Sequence, residues 1–504
     1  MTATVPAEHR LPRHSIIGYG AGDAANNLAF TTATMFLLIY YTDVAGIAAA
    51  TVGTIFLVLR IVDAFADIAV GRLVDRVNTR RWGKFRPFLI FGSLPLLLLL
   101  VATFHVPQIG QTGMIVYAYL TYGLLNIAYS LVNIPYGSLA AAMTQSPSGR
   151  AKLATARSIG AVVTGSALGI FISPLLGTKA DLQGVFTTVT ISFVFIGLAL
   201  YLFTAFSTKE RVHRAVPHVT MRQSFATLKG NKPLLLLCVS SVLFLTGMIS
   251  MSTAQIYLMR DVFDSLYLVP YLSGAQLVAV FAISPFVPAI VRRFGKRTAY
   301  IASAGVGVVG LAVAAFAPNG AVAFGALLVA MLGVLLVNML VWAIEADTVE
   351  YGEWKTGVRA EGITYALFSF TRKTGQAVGG AVAAYAIGIG GYVAGASTQS
   401  PGADWGIRAG AAALPAVCVA AAALVMLAYP LTDKVHARIV AEIRERREAA
   451  TAEDGPVAAS LALAGAAAVE DIDPATVQED VALSTAAFRT GKARPGALAH
   501  RSKK

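Results

Sequence analysis

Of the chain's 504 residues, 56% are hydrophobic and only 13% charged, which leaves too little polar surface to solvate a globule of this size. The formal charge of +13 is confined to short segments between apolar runs, with no basic stripe interleaved with aromatics, so it points to loops beside a membrane and not to nucleic acid. Cys238 and Cys418 both fall inside apolar runs and read as small buried hydrophobes rather than a disulfide, metal or redox motif.

Residues 1–15 are polar and mildly basic. The apolar stretch after them is longer than a signal-peptide core and lacks a small-residue cleavage site, so the first helix is expected to stay as an uncleaved anchor. Crossing about 30 Å of hydrocarbon takes about 20 residues. Runs of that kind fall near 16–41, 48–73, 86–106, 112–139, 153–176, 186–206, 234–259, 267–290, 298–317, 320–345, 361–390 and 407–431. Twelve spans leave both ends on one side. Basic residues gather in 72–86 (Arg72, Arg76, Arg80, Arg81, Lys84, Arg86), 207–233 and 291–297, whereas the opposite connections hold little beyond Lys179 and Arg260. The basic side is therefore expected to be cytoplasmic.

The halves echo each other. Trp82-Gly83-Lys84 follows the second span as Phe294-Gly295-Lys296 follows the eighth, and Pro135-Tyr136-Gly137 closes the fourth as Glu350-Tyr351-Gly352 closes the tenth. Such a six-plus-six pattern resembles the major facilitator superfamily. The expected fold is an all-α membrane protein of twelve transmembrane helices in two six-helix bundles. Its parts would be a cytoplasmic N-terminus (1–15), a first bundle (16–206), a cytoplasmic linker (207–233), a second bundle (234–431) and a cytoplasmic tail (432–504). In that tail, 433–448 reads as a surface helix with Val435, Ile439 and Ile443 on one face, and 451–504 as Ala-rich, polar and disordered.

Ionisable groups inside membrane spans are costly and mark function. Arg60, Asp63 and Asp67 lie in the second span and Lys373 in the eleventh. A four-residue spacing puts Asp63 and Asp67 on one helix face, with Arg60 on the same side. Two carboxylates so close repel, so one takes up a proton unless a cation such as Na⁺ lies between them; the alternative is a purely structural network with Arg60 and Lys373. Lys373 in the second bundle, facing a carboxylate pair in the first, would let occupancy of the pair alter the attraction between bundles. Its neighbour Arg372 is expected to snorkel towards the cytoplasm.

Two further groups stand out. Asp347, Glu350 and Glu353 near the end of the tenth span, set against Arg150, Arg157, Arg292 and Arg359, form a candidate cytoplasmic latch for the outward-open state, or else solvated loop charges. Exposed pairs contribute only about 0–1 kcal/mol each, so such a latch would open readily. In the first and fourth spans, Asp23, Asn26, Asn27, Tyr129, Ser130, Asn133 and Tyr136 supply the short donors, acceptors and aromatic faces that a sugar needs; helix-to-helix hydrogen bonding is the competing reading.

These residues resemble the glycoside–pentoside–hexuronide:cation symporter family. The matching stretches are Gly18-Tyr19-Gly20-Ala21-Gly22-Asp23 with Asn27-Leu28; Tyr41-Thr42-Asp43-Val44; Arg60-Ile61-Val62-Asp63-Ala64-Phe65-Ala66-Asp67; Arg81-Trp82-Gly83-Lys84-Phe85-Arg86-Pro87; Asn133-Ile134-Pro135-Tyr136; and Ala346-Asp347-Thr348-Val349-Glu350-Tyr351-Gly352-Glu353. The resemblance spans roughly 15–430. It implies that Asp63 and Asp67 are the cation-site carboxylates, Lys373 the family's essential lysine and Arg157 an arginine of the sugar site. Asn27 and Asn133 stand where melibiose-transporting members carry aspartate, and Gly137 where they carry tryptophan, which resembles the xyloside and glucuronide branches instead. Ala66 stands where sodium-using members often carry asparagine, which favours H⁺ over Na⁺ as the coupling ion. The resemblance thus implies a sugar:cation symporter working by alternating access in the inner membrane, a monomer among lipids, with a small glycoside as partner and no cofactor. A carrier of an amphiphile such as a lysolipid and a non-transporting membrane sensor are the alternatives. An enzyme is not expected, because no nucleophile–base set, metal cluster or phosphate loop has usable spacing.

Overall fold

The computed structural model describes residues 11–77, 79, 82–144, 146–177, 181–210, 230–357, 361–396, 398–446 and 448. Among these residues the secondary structure is helical, apart from an isolated bridge between Thr79 and Gly83. The first half contains α1 (Arg13–Ile39), α2 (Ala49–Arg76), α3 (Arg86–Thr103), α4 (Gln111–Met143), α5 (Pro147–Ile172) and α6 (Leu182–Ser207). The second half contains α7 (Lys232–Tyr257), α8 (Val269–Ile283), α9 (Val287–Phe294), α10 (Lys296–Ala315), α11 (Gly320–Thr356), α12 (Glu361–Ile389), α13 (Pro401–Arg408) and α14 (Leu414–Leu427). A short 3-10 turn joins α8 to α9, and a π-helical turn, Ala409–Ala413, joins α13 to α14. Each pair makes one span.

Ten spans among the described residues are long and apolar enough to cross a membrane. Helices α1 and α12, 27 and 29 residues long, fall outside that set because Asp23, Asn26 and Asn27 in one and Arg372, Lys373 and Gln376 in the other dilute their hydropathy. Their polar faces turn inward. Large apolar side chains instead crowd the outer surface, with Phe91, Phe171, Phe195 and Leu424 all exposed; a patchwork of that kind belongs in lipid rather than water.

In the first half α1 packs on α5 and α6, α3 on α4 and α6, and α2 on α4. In the second, α7 packs on α12 and α14, and α10 on α11 and α14. Between halves α2 meets α12, α5 meets α8, and α1 meets α7. Small residues permit the closest approaches. A Cβ on Gly160 of α5 would collide with the Gly20 carbonyl of α1, and that approach brings Arg157, one turn earlier, up to Asp23.

The first sequence echo has a structural cause. Gly83 and Gly295 have φ of +81° and +79°, a region that glycine enters without steric cost, and each turn receives a carboxylate from the end of its own half. Glu210, just after α6, accepts from the backbone N–H of Lys84 at 2.9 Å and of Phe85 at 2.8 Å. Asp433, after α14, accepts from the N–H of Lys296 at 2.9 Å. A side chain at either glycine would obstruct the carboxylate, since a Cβ would lie 2.7 Å from Glu210 Oε1 or 2.5 Å from Asp433 Oδ2. A carboxylate at the first amides of α3 and α10 also complements the helix dipole. The second echo does not lead to equivalent contacts, since Tyr136 stacks on Tyr19 whereas Tyr351 leans on Trp354.

The chain divides into two compact units, Met1–His436 and Ala437–Lys504. Of the second, residues 437–446 and 448 are helical and carry the i,i+4 ion pairs Arg438–Glu442 and Arg444–Glu448. The expectations for 1–10, 211–229 and 451–504 lie outside the described residues.

Candidate functional site

The carboxylates of the second span fall in one contact set with Arg60, Ser130 and Lys373. Arg60 Nη1 donates to Asp63 Oδ2 at 2.8 Å. Ser130 of α4 lies 3.2 Å from Asp63 Oδ1 and 2.6 Å from Asp67 Oδ1, and Lys373 of α12 pairs with Asp67 Oδ2 across the two halves. Side chains of Lys373 and Asp67 keep 28% and 23% of their exposure, so solvent or an ion can reach them, whereas Asp63 is buried. Lys373, counted from the sequence among the substrate-binding residues, thus stands beside the carboxylate pair.

That second set forms around Asp23. Arg157 Nε donates to Asp23 Oδ1 at 2.8 Å and its guanidinium lies 5.6 Å from the Tyr136 ring centre. Asn27 Nδ2 donates to Asp23 Oδ2 at 2.9 Å, while its Oδ1 accepts from Thr31. Tyr129 stacks on Phe30 at 5.9 Å and lines a cavity between the halves, together with Arg60, Asn126, Thr253 and Gln376. Asn133 is half-buried one turn further along α4. Asn26 faces the other way, accepting from Tyr201 of α6 at 2.8 Å in a fully packed interface; it serves helix packing, not the cavity. Thr253, Asn126 and Gln376 escaped the sequence reading because single amides and hydroxyls are common inside membrane helices.

Arg372 does not snorkel. It turns sideways between α11 and α12, donating from Nη2 to Asn338 Oδ1 at 3.2 Å and lying 4.9 Å from the Trp342 ring centre. Two of the three carboxylates assigned to a cross-half latch, Asp347 and Glu350, are paired within their own half. Lys296 Nζ contacts both oxygens of Asp347 at 2.6 Å, and His436 pairs with Glu350. They also sit on a helix rather than in a loop, because α11 runs on to Thr356. Arg150 is exposed and donates to the Thr144 carbonyl at 3.4 Å, Arg292 is exposed, Glu353 is half-buried, and Arg359 lies outside the described residues.

At the opposite end the structure reveals a cluster that the sequence reading missed. Helices α1 and α7 both end in a five-residue π turn, Tyr40–Val44 and Leu258–Val262, and both turns finish in Asp-Val. Arg260 bridges them, with Nη2 2.7 Å from Asp43 Oδ1 and 3.0 Å from Asp261 Oδ2. Tyr392 donates to Asp43 Oδ1 at 2.9 Å, and Thr42 meets Tyr257 at 2.7 Å. Burial first, then the neighbouring Asp43 carboxylate, push the Tyr392 phenol above its usual range and keep it a donor. The Asp43–Arg260 side chains are only 8% and 15% exposed, and removing one partner from a pair so buried typically costs about 3–5 kcal/mol. The shared Asp-Val was the available signal.

Two helical halves around a shared polar cavity, with apolar flanks, define a multi-pass membrane transporter. A family model described as MFS/sugar transport protein matches residues 18–433, and the chain belongs to that family of secondary sugar transporters; it is not an enzyme. It is 44% identical over 445 residues to the glucuronide carrier protein homolog of Escherichia coli (strain K12), covering 87% of this chain and 97% of the relative. The isoprimeverose transporter of Lactiplantibacillus pentosus is 32% identical over 464 residues, covering 90% of this chain and 96% of the relative. Among solved structures, the nucleoside transporter NupG superposes with a TM-score of 0.58 at 15% identity, covering 83% of this chain and 98% of that one. At that identity the match speaks for the fold alone.

Proposed function

We propose that this chain imports a small glycoside, pentoside or hexuronide across the inner membrane together with a proton, as a monomer with its basic side and both ends in the cytoplasm. The carrying observation is the pair of Lys373 with Asp67 beside Asp63 and Ser130. It joins the two halves at a group that can bind a cation, so occupancy of the carboxylates changes what holds the halves together. Ser130 has one hydroxyl hydrogen and cannot donate to two ionised carboxylates at once, so a proton on the pair completes the contact. No amide at Ala66 adds the further oxygen that a dehydrated Na⁺ needs, which is why H⁺ is favoured.

Asp23, Asn27, Tyr129, Asn133 and Arg157 would hold the sugar. The named substrates of the relatives, a glucuronide and isoprimeverose, support a sugar over a lysolipid. Hydrogen bonds that join the halves at the Asp43–Arg260 end, with Asp347 and Glu350 paired inside one half at the other, support a reading as the state open to the cytoplasm. The latch of the outward-open state would then need Lys296 and His436 to release those carboxylates.

The test is uptake by proteoliposomes with pH and Na⁺ gradients imposed separately. An inward proton gradient should drive accumulation, a protonophore should abolish it, and Na⁺ should change it little; uptake that follows Na⁺ and ignores pH would sink proton coupling.

A further inference from the structure

Inside the spans, the two site groups leave aside a half-buried cation, Arg372. Arg60, Arg157, Arg260 and Lys373 each have a carboxylate partner, whereas Arg372 forms no ion pair among the described residues. Its Nη2 reaches the amide oxygen of Asn338, and its Nη1 is buried with no hydrogen-bond partner. Burying an uncompensated guanidinium is costly, and the faces of Trp342 and Phe368, with ring centres 4.9 Å and 5.9 Å away, offset that cost only in part.

The surroundings have the make-up of a recognition site. Tyr365, Phe368, Arg372 and Gln376 recur at helical spacing along one face of α12, and Gln376 lines the cavity between the halves. Trp342 stacks on Tyr365 with ring centres 6.1 Å apart. The pair stays 40% and 48% exposed, and Tyr365 is within electrostatic range of Arg157 in the other half. The Trp342–Tyr365 pair, with the Arg372 guanidinium against the Trp342 ring, thus lies within electrostatic reach of Arg157 of the other half.

We propose that Arg372, with Asn338, receives the acid group of an anionic sugar, a ring carboxylate of the uronate kind, while the Trp342–Tyr365 pair takes the apolar face of the ring. This rests on the sugar-transport reading and narrows it to a substrate class. A carboxylate accepts parallel N–H bonds from the guanidinium fork and neutralises it. A neutral hexoside places a hydroxymethyl group there, leaving the charge unbalanced and Nη1 unmet. A sulfonate offers the same charge and similar acceptors, so the experiment must separate the two.

Wild type, Arg372→Gln and Arg372→Lys, each checked for monodispersity by size exclusion, are reconstituted in liposomes. Uptake is measured for p-nitrophenyl β-D-glucuronide, p-nitrophenyl β-D-glucoside and the 6-sulfo analogue of the glucoside. Wild type should favour the glucuronide over the glucoside by at least about ten-fold, the scale of a charge-assisted hydrogen bond. Arg372→Gln should bring that ratio close to one, and Arg372→Lys, which keeps the charge but loses the fork, should fall between. Should neither variant fold, competition in wild type decides: free glucuronate should block glucoside uptake at least about ten-fold better than glucose does, and equal competition overturns the proposal. Uptake of the glucoside alone, or equal losses for both probes in Arg372→Gln, also overturns it while leaving sugar transport standing. Preference for the sulfonate with no glucuronide uptake overturns the carboxylate assignment. A wild type that moves none of the three under either gradient removes the sugar-transport reading itself.

Discussion

Lys373 and Asp67 come from different halves, so a ligand of either one acts on the joint between them. Asp67→Asn is expected to leave downhill exchange intact while the inside-to-outside ratio of substrate falls to about one, the value for a carrier without coupling. Lys373→Ala should likewise lose active uptake although the protein reaches the membrane. Because the two side chains touch, the double variant should be no worse than the poorer single one. Counterflow and gradient-driven uptake at matched expression check this, and strictly additive losses would show that the residues act apart. The acid pair was legible in the sequence because helical periodicity alone puts positions 63 and 67 on one face. Arg372 was not, since nothing in two adjacent cations says which one turns into the protein and which towards water. Asp43 and Arg260 stayed hidden for another reason: they read as loop charges until both helices were seen to continue through a π turn.

At the scale of elements, span positions were legible from apolar run length, and the ends were less so. Helix α11 passes the end of its apolar run to Thr356, because Ala346, the Glu residues and Lys355 are good helix formers, and it stops only where Gly357 adopts φ +70°. Interfaces between helices depend on glycines whose role no single sequence discloses. Gly388 of α12 is one: a Cβ there would lie 2.7 Å from the Ala50 nitrogen of α2. Gly388→Leu should hold α2 and α12 apart at the Asp43–Arg260 end, where overpacking costs about 1–3 kcal/mol. Uptake should drop, and a cysteine at Tyr385, whose hydroxyl lies 2.9 Å from Thr54, should react faster with an impermeant maleimide added outside the cell. Unchanged labelling and uptake would mean that this end closes by other contacts.

For the molecule as a whole, the repeat was legible as a pair of Gly-Lys turns, but its purpose appeared only with the carboxylates that fill them. Glu210 ties the end of α6 back to α3, and Asp433 ties the end of α14 back to α10. Each half is thereby fastened to itself by its own residues, as the proposed alternating access by two halves would require. On that reading, covalent continuity between them is expected to matter little for the fold. A chain cut in two between 211 and 229, with both pieces made in the same cell, should assemble and restore uptake well above that of either piece alone, and adding Glu210→Gln to the first piece should weaken that rescue. Pieces that reach the membrane and never transport would show the ribbon between the halves to be more than a tether. Rescue by the two pieces would make the transporter, in effect, a pair of subunits that happen to share one peptide chain.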